Sequence, residues 1–356
     1  MSNEDKFILH GAFPWAPDGS RQYPENVRCC YKAIQETTPL VLNAIKLAPV
    51  RPGTVFTIVD YGSGDGENSM ALFYACVQEL RKLHGDDLPI HVIYEDQPVN
   101  DFKSLFLRLQ GLIPGPKSYL TDFPNVFVSA CGTNFFRQCL PSQSVNLGFS
   151  ATACHCLSRN PCDITGALHH NMITIPEEAE AFKKQAAKDW ETILLNRTKE
   201  LCPGSRMILV QLATDKEGQY TGASKSTPVS VHHKLIELWK RLLTDGLITQ
   251  EEFHKTNFPR YLRTVDEFKQ PFESKHSPVR KAGLSLISIE TKVIPCPKRE
   301  KWLKNGGDPK EFARWYTPAI RAWSNTTFIS GELVTFSNLL LLLLSFLKKP
   351  STRTFF

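Results

Sequence analysis

Three glycines at alternate positions, Gly62, Gly64 and Gly66, separate an apolar, β-branched run from a helical pattern. The run ends in the carboxylate of Asp60, immediately before the turn. Glycine permits a positive φ and lets a ligand lie against the backbone, so this turn is typical of a nucleotide-binding crevice in an open α/β sheet. The spacing is G-x-G-x-G, whereas dinucleotide sites have G-x-G-x-x-G. A purely structural turn is the alternative interpretation.

A second acid, Asp96, ends the next apolar run along the chain. In a doubly wound sheet, an acid at this place faces the ribose of an adenosine held at the first turn. A carboxylate can accept hydrogen bonds from both ribose hydroxyls. The two acids and the glycine spacing favour a cofactor with a carboxylate-and-amine end and no pyrophosphate, which describes S-adenosylmethionine (SAM). Asn68 is expected either to bind this cofactor or to cap the following helix, and Asp65 is expected to face solvent.

Three blocks of sequence, at 95–106, 132–141 and 144–161, closely resemble motifs of the SABATH methyltransferases. The first block, E-D-Q-P-V-N-D-F-K-S-L-F, matches that family's N-D-L-P-x-N-D-F-N-x-L-F pattern. The resemblance covers nearly the whole chain, from about residue 23 to 323. It implies a SAM-dependent enzyme that methylates a small-molecule carboxylic acid to a methyl ester. Thr133, which follows the third predicted strand, is a candidate neighbour of the adenine.

The acceptor side departs from the family pattern. The resemblance implies that a Gln near the N-terminus and the Trp of an H-W-L-S block hold the acceptor carboxylate. Cys30 stands where that Gln would be, and Cys156 stands where that Trp would be. We expect Tyr23, Cys30, His155 and Cys156 to line the acceptor pocket, with a core imidazole as the alternative for His155. Because a thiol is a weak donor, carboxyl specificity stays open, and some family members methylate nitrogen.

The alternation of apolar runs with helical patterns predicts an α/β fold with a Rossmann-like, mostly parallel sheet. The resemblance implies the seven-stranded type of methyltransferase sheet with an inserted helical cap, and we expect the C-terminal strand to be missing. The alternating apolar pattern at 284–294 predicts a further strand. We expect four segments. Residues 1–220 form the first part of a SAM-binding α/β domain, and residues 221–278 form a helical cap over the acceptor pocket. The chain returns to the α/β domain at 279–328 and ends in an atypical apolar tail at 329–356.

Composition restricts the partners. The net charge of +6 comes from dispersed Lys and Arg without a basic block, so nucleic-acid binding is not expected. The ten cysteines lack the spacing of a secreted disulfide scaffold, and the Cys154-His155-Cys156 run alternates between faces, so no metal site is predicted. No signal pattern opens the chain, which favours the cytoplasm. The Leu-rich run at 333–347 is shorter than the roughly 20 residues that span a bilayer, so a membrane partner is not expected.

Several alternatives stay open beside a methyltransferase of small carboxylic acids. The chain could be a catalytically weak relative that binds SAM or a ligand without turnover, or an N-methyltransferase. An NAD-type oxidoreductase is disfavoured by the glycine spacing. A homodimer is considered alongside a monomer.

Overall fold

Five parallel strands form the centre of the protein in the computed structural model, which describes residues 28–222 and 229–330. The strands are β1 Phe56–Tyr61, β2 Ile90–Asp96, β3 Val126–Gly132, β4 Val145–Ala151 and β5 Leu201–Val210. Their order in the sheet is β3-β2-β1-β4-β5, and every neighbouring pair is parallel. The predicted α/β fold with a parallel sheet is therefore confirmed.

Helices connect the strands and continue after the last one. The helices are α1 Arg28–Leu47, α2 Glu67–His84, α3 Phe102–Leu109, α4 Tyr119–Asp122, α5 Pro176–Glu200, α6 Val231–Thr244, α7 Gln250–Lys255, α8 Val265–Glu273, α9 Pro278–Lys281, α10 Pro297–Lys304 and α11 Pro309–Ser330, with a 3₁₀ turn at His170–Met172. Helix α5 begins at Pro176, where proline is tolerated in the first helical turn and two acids follow it.

The centre of the sheet is buried on both faces, as expected of parallel strands, whereas the edge strands β3 and β5 are partly exposed. All six residues of β1 are buried. Because side chains alternate along a strand, Phe56 and Ile58 pack into a core with α1 and α2, whereas Val59 and Tyr61 pack on the other face. On that second face the Tyr61 hydroxyl donates a 2.6 Å hydrogen bond to Oε2 of Glu200, at the end of α5.

The strand order makes a crevice at the carboxyl ends of β1 and β4. From β1 the chain turns toward β2, and from β4 it turns toward β5, so the two connections diverge at this point. The turn after β1 has positive φ at Gly62, Gly64 and Gly66 (75°, 57° and 73°). A Cβ at Gly62 would lie 2.4 Å from Cβ of Ala153, so the turn and the loop after β4 are in direct contact.

The prediction of a further strand at 284–294 is wrong, since this segment forms no strand in the structure. Its first residue, Leu284, packs against two apolar clusters. Ile287 and Val293 are 71% and 88% exposed. Alternation alone does not form a strand, because a strand also needs a neighbour for its backbone hydrogen bonds.

Two other predictions about the outer parts of the chain are not decided. Helices α6, α7 and α8 lie within the region predicted as a cap, at 221–278, and the described residues there form no named strand. That these helices close an acceptor pocket stays a prediction. Almost all of the predicted tail lies outside the described residues, which end at Ser330.

A buried arginine fastens α3 to the glycine turn. Arg108 is 1% exposed, and its Nη1 donates to the backbone O of Asp65 at 2.8 Å. Its Nη2 lies 3.2 Å from Oδ2 of Asp65, and its Nε lies 3.1 Å from Oε2 of Glu67. The prediction that Asp65 faces solvent is wrong, because this ion pair allows its carboxylate to be buried (3% exposed).

We predict that Arg108→Leu lowers the free energy of unfolding by about 3–5 kcal/mol, because it leaves two buried carboxylates without their cation. Arg241→Leu is the control, since its ion pair with Asp245 is about half exposed and 3.6 Å long; it should cost less than about 1 kcal/mol. Urea denaturation measures both values. Equal losses for the two variants would contradict the role of Arg108.

Candidate active site

Asp60 and Asp96 lie on the same face of the sheet at its carboxyl edge. Asp60 pairs in register with Tyr94, and Asp96 follows two residues after Tyr94 on β2. Asp60 is 3% exposed and accepts a 2.5 Å hydrogen bond from Oγ of Ser69. Burial raises the pKa of Asp60 to about 7; Ser69 opposes this increase and the nearby Asp96 adds to it. A buried carboxylate with an acidic neighbour favours a positively charged ligand.

Asp96 holds the glycine turn and the start of the next loop. Its Oδ2 accepts from the backbone N of Gly64 at 2.6 Å, and its Oδ1 accepts from the N of Gln97 at 2.7 Å. Its backbone O accepts from the N of Thr133 at 2.9 Å, which places Thr133 beside it. Burial raises the pKa of Asp96, and the two backbone donors lower it. The predicted residues of the cofactor side are thus brought together.

Glu95 is a third acid at this edge, and its role was not recognised from the sequence. It lies on the opposite face from Asp96 and is fully buried. Its backbone O accepts from the N of Gly62 and the N of Ser63 at 2.9 and 3.0 Å. Burial raises the pKa of Glu95 well above its ordinary value, with Asp96 as the second cause. The sequence feature that could have identified it is the pair of adjacent acids at the strand end. Because side chains alternate between the two faces of a strand, one acid of such a pair must point into the core.

Asn68 lies in the first turn of α2, but it does not cap the helix. The N-cap residue is Gly66, and no side chain caps it. Oδ1 of Asn68 is buried and has no hydrogen-bond partner among the described residues. A buried polar atom of this kind is costly unless a ligand or water completes it, so the amide is suited to a ligand in the crevice.

The predicted acceptor residues lie on α1 and on the loop after β4. The Oγ1 of Thr152 donates to Sγ of Cys30 at 3.5 Å, so Cys30 lies against the start of that loop. His155 and Cys156, further along it, are both buried. Burial raises the pKa of the Cys156 thiol to about 11. Tyr23 lies outside the described residues.

Within residues 28–222 and 229–330, no group of three or more His, Cys, Asp or Glu side chains could hold a metal ion. The nine cysteines that the structure describes there are free thiols. In the same parts of the chain, no helix is long and apolar enough to span a membrane.

Comparisons with known proteins agree with this geometry. A family model described as SAM-dependent carboxyl methyltransferase matches residues 16–322. Benzoate O-methyltransferase of Zea mays is 26% identical over 290 residues, covering 71% of each chain. A benzoic acid/salicylic acid carboxyl methyltransferase of Petunia hybrida is 25% identical over 300 residues, covering 82% of this chain and 81% of the relative. The solved structure of loganic acid methyltransferase with SAH superposes with a TM-score of 0.70 at 18% identity, covering 93% of this chain and 89% of the other.

A parallel sheet with a buried acid, Asp60, and a partly buried acid, Asp96, at its switch point defines a nucleotide-type crevice suited to a cationic cofactor. The chain belongs to the SAM-dependent carboxyl methyltransferase family, the SABATH family. The prediction of a SAM-dependent methyltransferase for small molecules is confirmed at this level. The residues present fit SAM, because the carboxylates of Asp60 and Asp96 match its positive charges and the buried Oδ1 of Asn68, which has no hydrogen-bond partner among the described residues, offers a polar contact.

We predict that Asp60→Asn stabilises the unliganded protein by about 1–3 kcal/mol at pH 8 and has little effect at pH 4. The folded-state pKa, about 7, exceeds that of an unfolded Asp, so the proton on Asp60 contributes stability below pH 4 that is lost as the pH rises through 7. Asparagine imitates the protonated form and retains an acceptor for Ser69. Chemical denaturation across this pH range measures the difference between the two proteins.

Asp101→Asn is the control, because Asp101 caps α3 by accepting from the N of Ser104, and asparagine caps equally well. A stability difference for Asp60→Asn that does not change between pH 4 and pH 8 would contradict the titration assigned to this carboxyl.

Proposed function

We propose that the chain methylates the carboxylate of a small organic acid, with SAM as the methyl donor. The observation that carries this proposal is the pair of acids on one face of the sheet edge, the buried Asp60 and the partly buried Asp96. The relatives named for benzoate and salicylate carboxyl methylation support a carboxylic acid as acceptor.

Six residues make the cofactor side in this proposal. Asp96 accepts hydrogen bonds from the ribose hydroxyls, and its bond to Gly64 N fixes the carboxylate for that purpose. Asp60 provides negative charge for the amino end. The remaining contacts are assigned to the turn, the first turn of α2 and the loop after β3, at Gly62, Gly64, Asn68 and Thr133.

When bound, SAM supplies a methyl group on a positively charged sulfur, which an acceptor carboxylate can take without a general base. The chain's own task is therefore to orient the acceptor and exclude water. We assign the acceptor pocket to Tyr23, Cys30, His155 and Cys156, covered by the helical cap at 221–278. The imidazole of His232 stays neutral, because burial lowers its pKa to about 3.

A catalytically weak relative or an N-methyltransferase is the second candidate. It is favoured by the thiols of Cys30 and Cys156, because a thiol is a poor donor to a carboxylate. Acceptor chemistry decides between the candidates, since a methyl ester is hydrolysed by mild base and an N-methyl group is not.

Two further proposals concern the cellular compartment and the oligomeric state. The free thiols of the described cysteines support a reducing compartment, and we propose the cytoplasm. Exposed apolar side chains at Leu286, Ile287 and Val293 support a homodimer, which sedimentation measures directly.

We predict that the protein with labelled SAM forms a base-labile methyl ester on at least one member of a panel of benzoate, salicylate, indole-3-acetate and octanoate. The family membership and the acids of the cofactor crevice, Asp60 and Asp96, are the reasons. Cofactor binding without any labelled ester would favour the second candidate. Absence of cofactor binding in the folded protein would contradict both.

We predict that Asp96→Ala weakens binding of SAM and of S-adenosylhomocysteine (SAH) by about 2–4 kcal/mol, because two charge-assisted hydrogen bonds to the ribose are lost. Asp101→Ala should leave the affinity nearly unchanged, since Asp101 caps α3 through Ser104. Calorimetry measures both. Equal losses would show that the acid at the end of β2 does not have the assigned role.

A further inference from the structure

Arg260 lies directly opposite Cys156 in a short antiparallel bridge. The backbone N of Tyr261 donates to the O of His155 at 2.8 Å and fixes this register. Side chains opposite each other in an antiparallel pair lie on the same face, with Cβ atoms about 5 Å apart. The guanidinium therefore extends from the same face as the Cys156 thiol.

Aromatic rings position the guanidinium of Arg260. Its central carbon lies 5.6 Å from the ring centre of Phe258 and 5.5 Å from that of Trp323. Its Nη2 donates to the backbone O of Trp323 at 2.5 Å. A guanidinium is planar and stacks on aromatic faces. It carries five N–H donors, so one group can hold this carbonyl and a ligand carboxylate together.

Two buried imidazoles lie near the aromatic rings that flank Arg260. The rings of His169 and His232 stack with centroids 4.2 Å apart, and the His232 ring lies 5.7 Å from that of Trp323. Burial lowers the pKa of both imidazoles, and Arg260 lowers them further. Nδ1 of His232 is buried without a hydrogen-bond partner among the described residues. An anion placed beside Arg260 would thus meet a cation, neutral rings and an unused polar atom.

The loop after β4 joins this region to the cofactor crevice. Ala153 of that loop contacts the glycine turn at Gly62, and Cys156 follows three residues later. Burial raises the pKa of the Cys156 thiol, and Arg260 opposes this increase. Through its bridge to Cys156, Arg260 therefore lies beside the loop that carries the predicted acceptor residues His155 and Cys156.

We propose that Arg260 binds the acceptor carboxylate through its guanidinium, in a pocket that selects carboxylic acids with an apolar body. This inference rests on the proposed function. It gives the acceptor an ionic anchor that the weak thiol donors of Cys30 and Cys156 do not provide. The apolar body is accommodated by the aromatic rings that flank Arg260, those of Phe258 and Trp323.

The test measures by calorimetry how tightly benzoate, indole-3-acetate and octanoate bind to the SAH-saturated protein. The wild type is compared with the variants Arg260→Leu and Arg260→Lys, and with Arg241→Leu as an exposed control. Loss of a charge-assisted pair should weaken acid binding to Arg260→Leu by about 10–100-fold. Arg260→Lys should lose less, because the charge is kept. Arg241→Leu should bind like the wild type, and the SAH affinity should be unchanged in all variants. Benzamide, which is neutral, should be insensitive to the Leu substitution.

The outcomes separate this inference from the proposed function. Unchanged acid binding in Arg260→Leu, or no acid bound by the wild type, would overturn the inference. If the wild type forms methyl esters and Arg260→Leu retains its KM, the proposed function stands and the anchor is elsewhere. If acids bind in an Arg260-dependent manner but no ester forms with SAM, the anchor stands and the methyl transfer is wrong.

Discussion

The free-energy cost of burying carboxylates at one edge of the sheet is the constraint on which the site depends. Asp60 is withdrawn from water and Asp96, on the same face, is partly so; burial raises the pKa of each. Such an arrangement costs stability in the unliganded protein and becomes favourable when a cation is bound. The charges that lower the stability of the ligand-free protein therefore also give the crevice its selectivity for a positively charged cofactor.

The surrounding scaffold makes this arrangement tolerable. Arg108 pairs with the carboxylates of Asp65 and Glu67 behind the turn and offsets one of their two negative charges. On the other face, Arg197 pairs with Glu200 at 2.8 Å and stacks over Tyr61, which fixes the end of β1. Backbone donors of the turn are directed at acidic side chains and carbonyls of β2. The turn is consequently preorganised before any ligand arrives.

The sequence predicted the parts of the structure that depend on local pattern. Apolar runs located the first two strands, and the glycine turn and the acid at the end of β2 were placed together at one edge. The predictions were wrong where the conformation or burial of a residue depends on a contact with a residue distant in sequence. Asp65 is buried because Arg108 reaches it from α3, and the run at 284–294 forms no strand despite its alternation. Arg260 could not be identified from spacing, since only the antiparallel bridge brings it to Cys156.

Proton release on cofactor binding tests the central claim most directly. If Asp60 has a pKa near 7 in the free protein and faces a cation in the complex, binding must lower that pKa and release protons. Calorimetry of SAH binding at pH 7, in buffers of different ionisation enthalpy, measures the number released. The account predicts a release of about half a proton, which is lost in Asp60→Asn. Binding that releases no proton, or takes one up, would contradict the claim that the buried carboxyl of Asp60 loses its proton when a cation binds beside it.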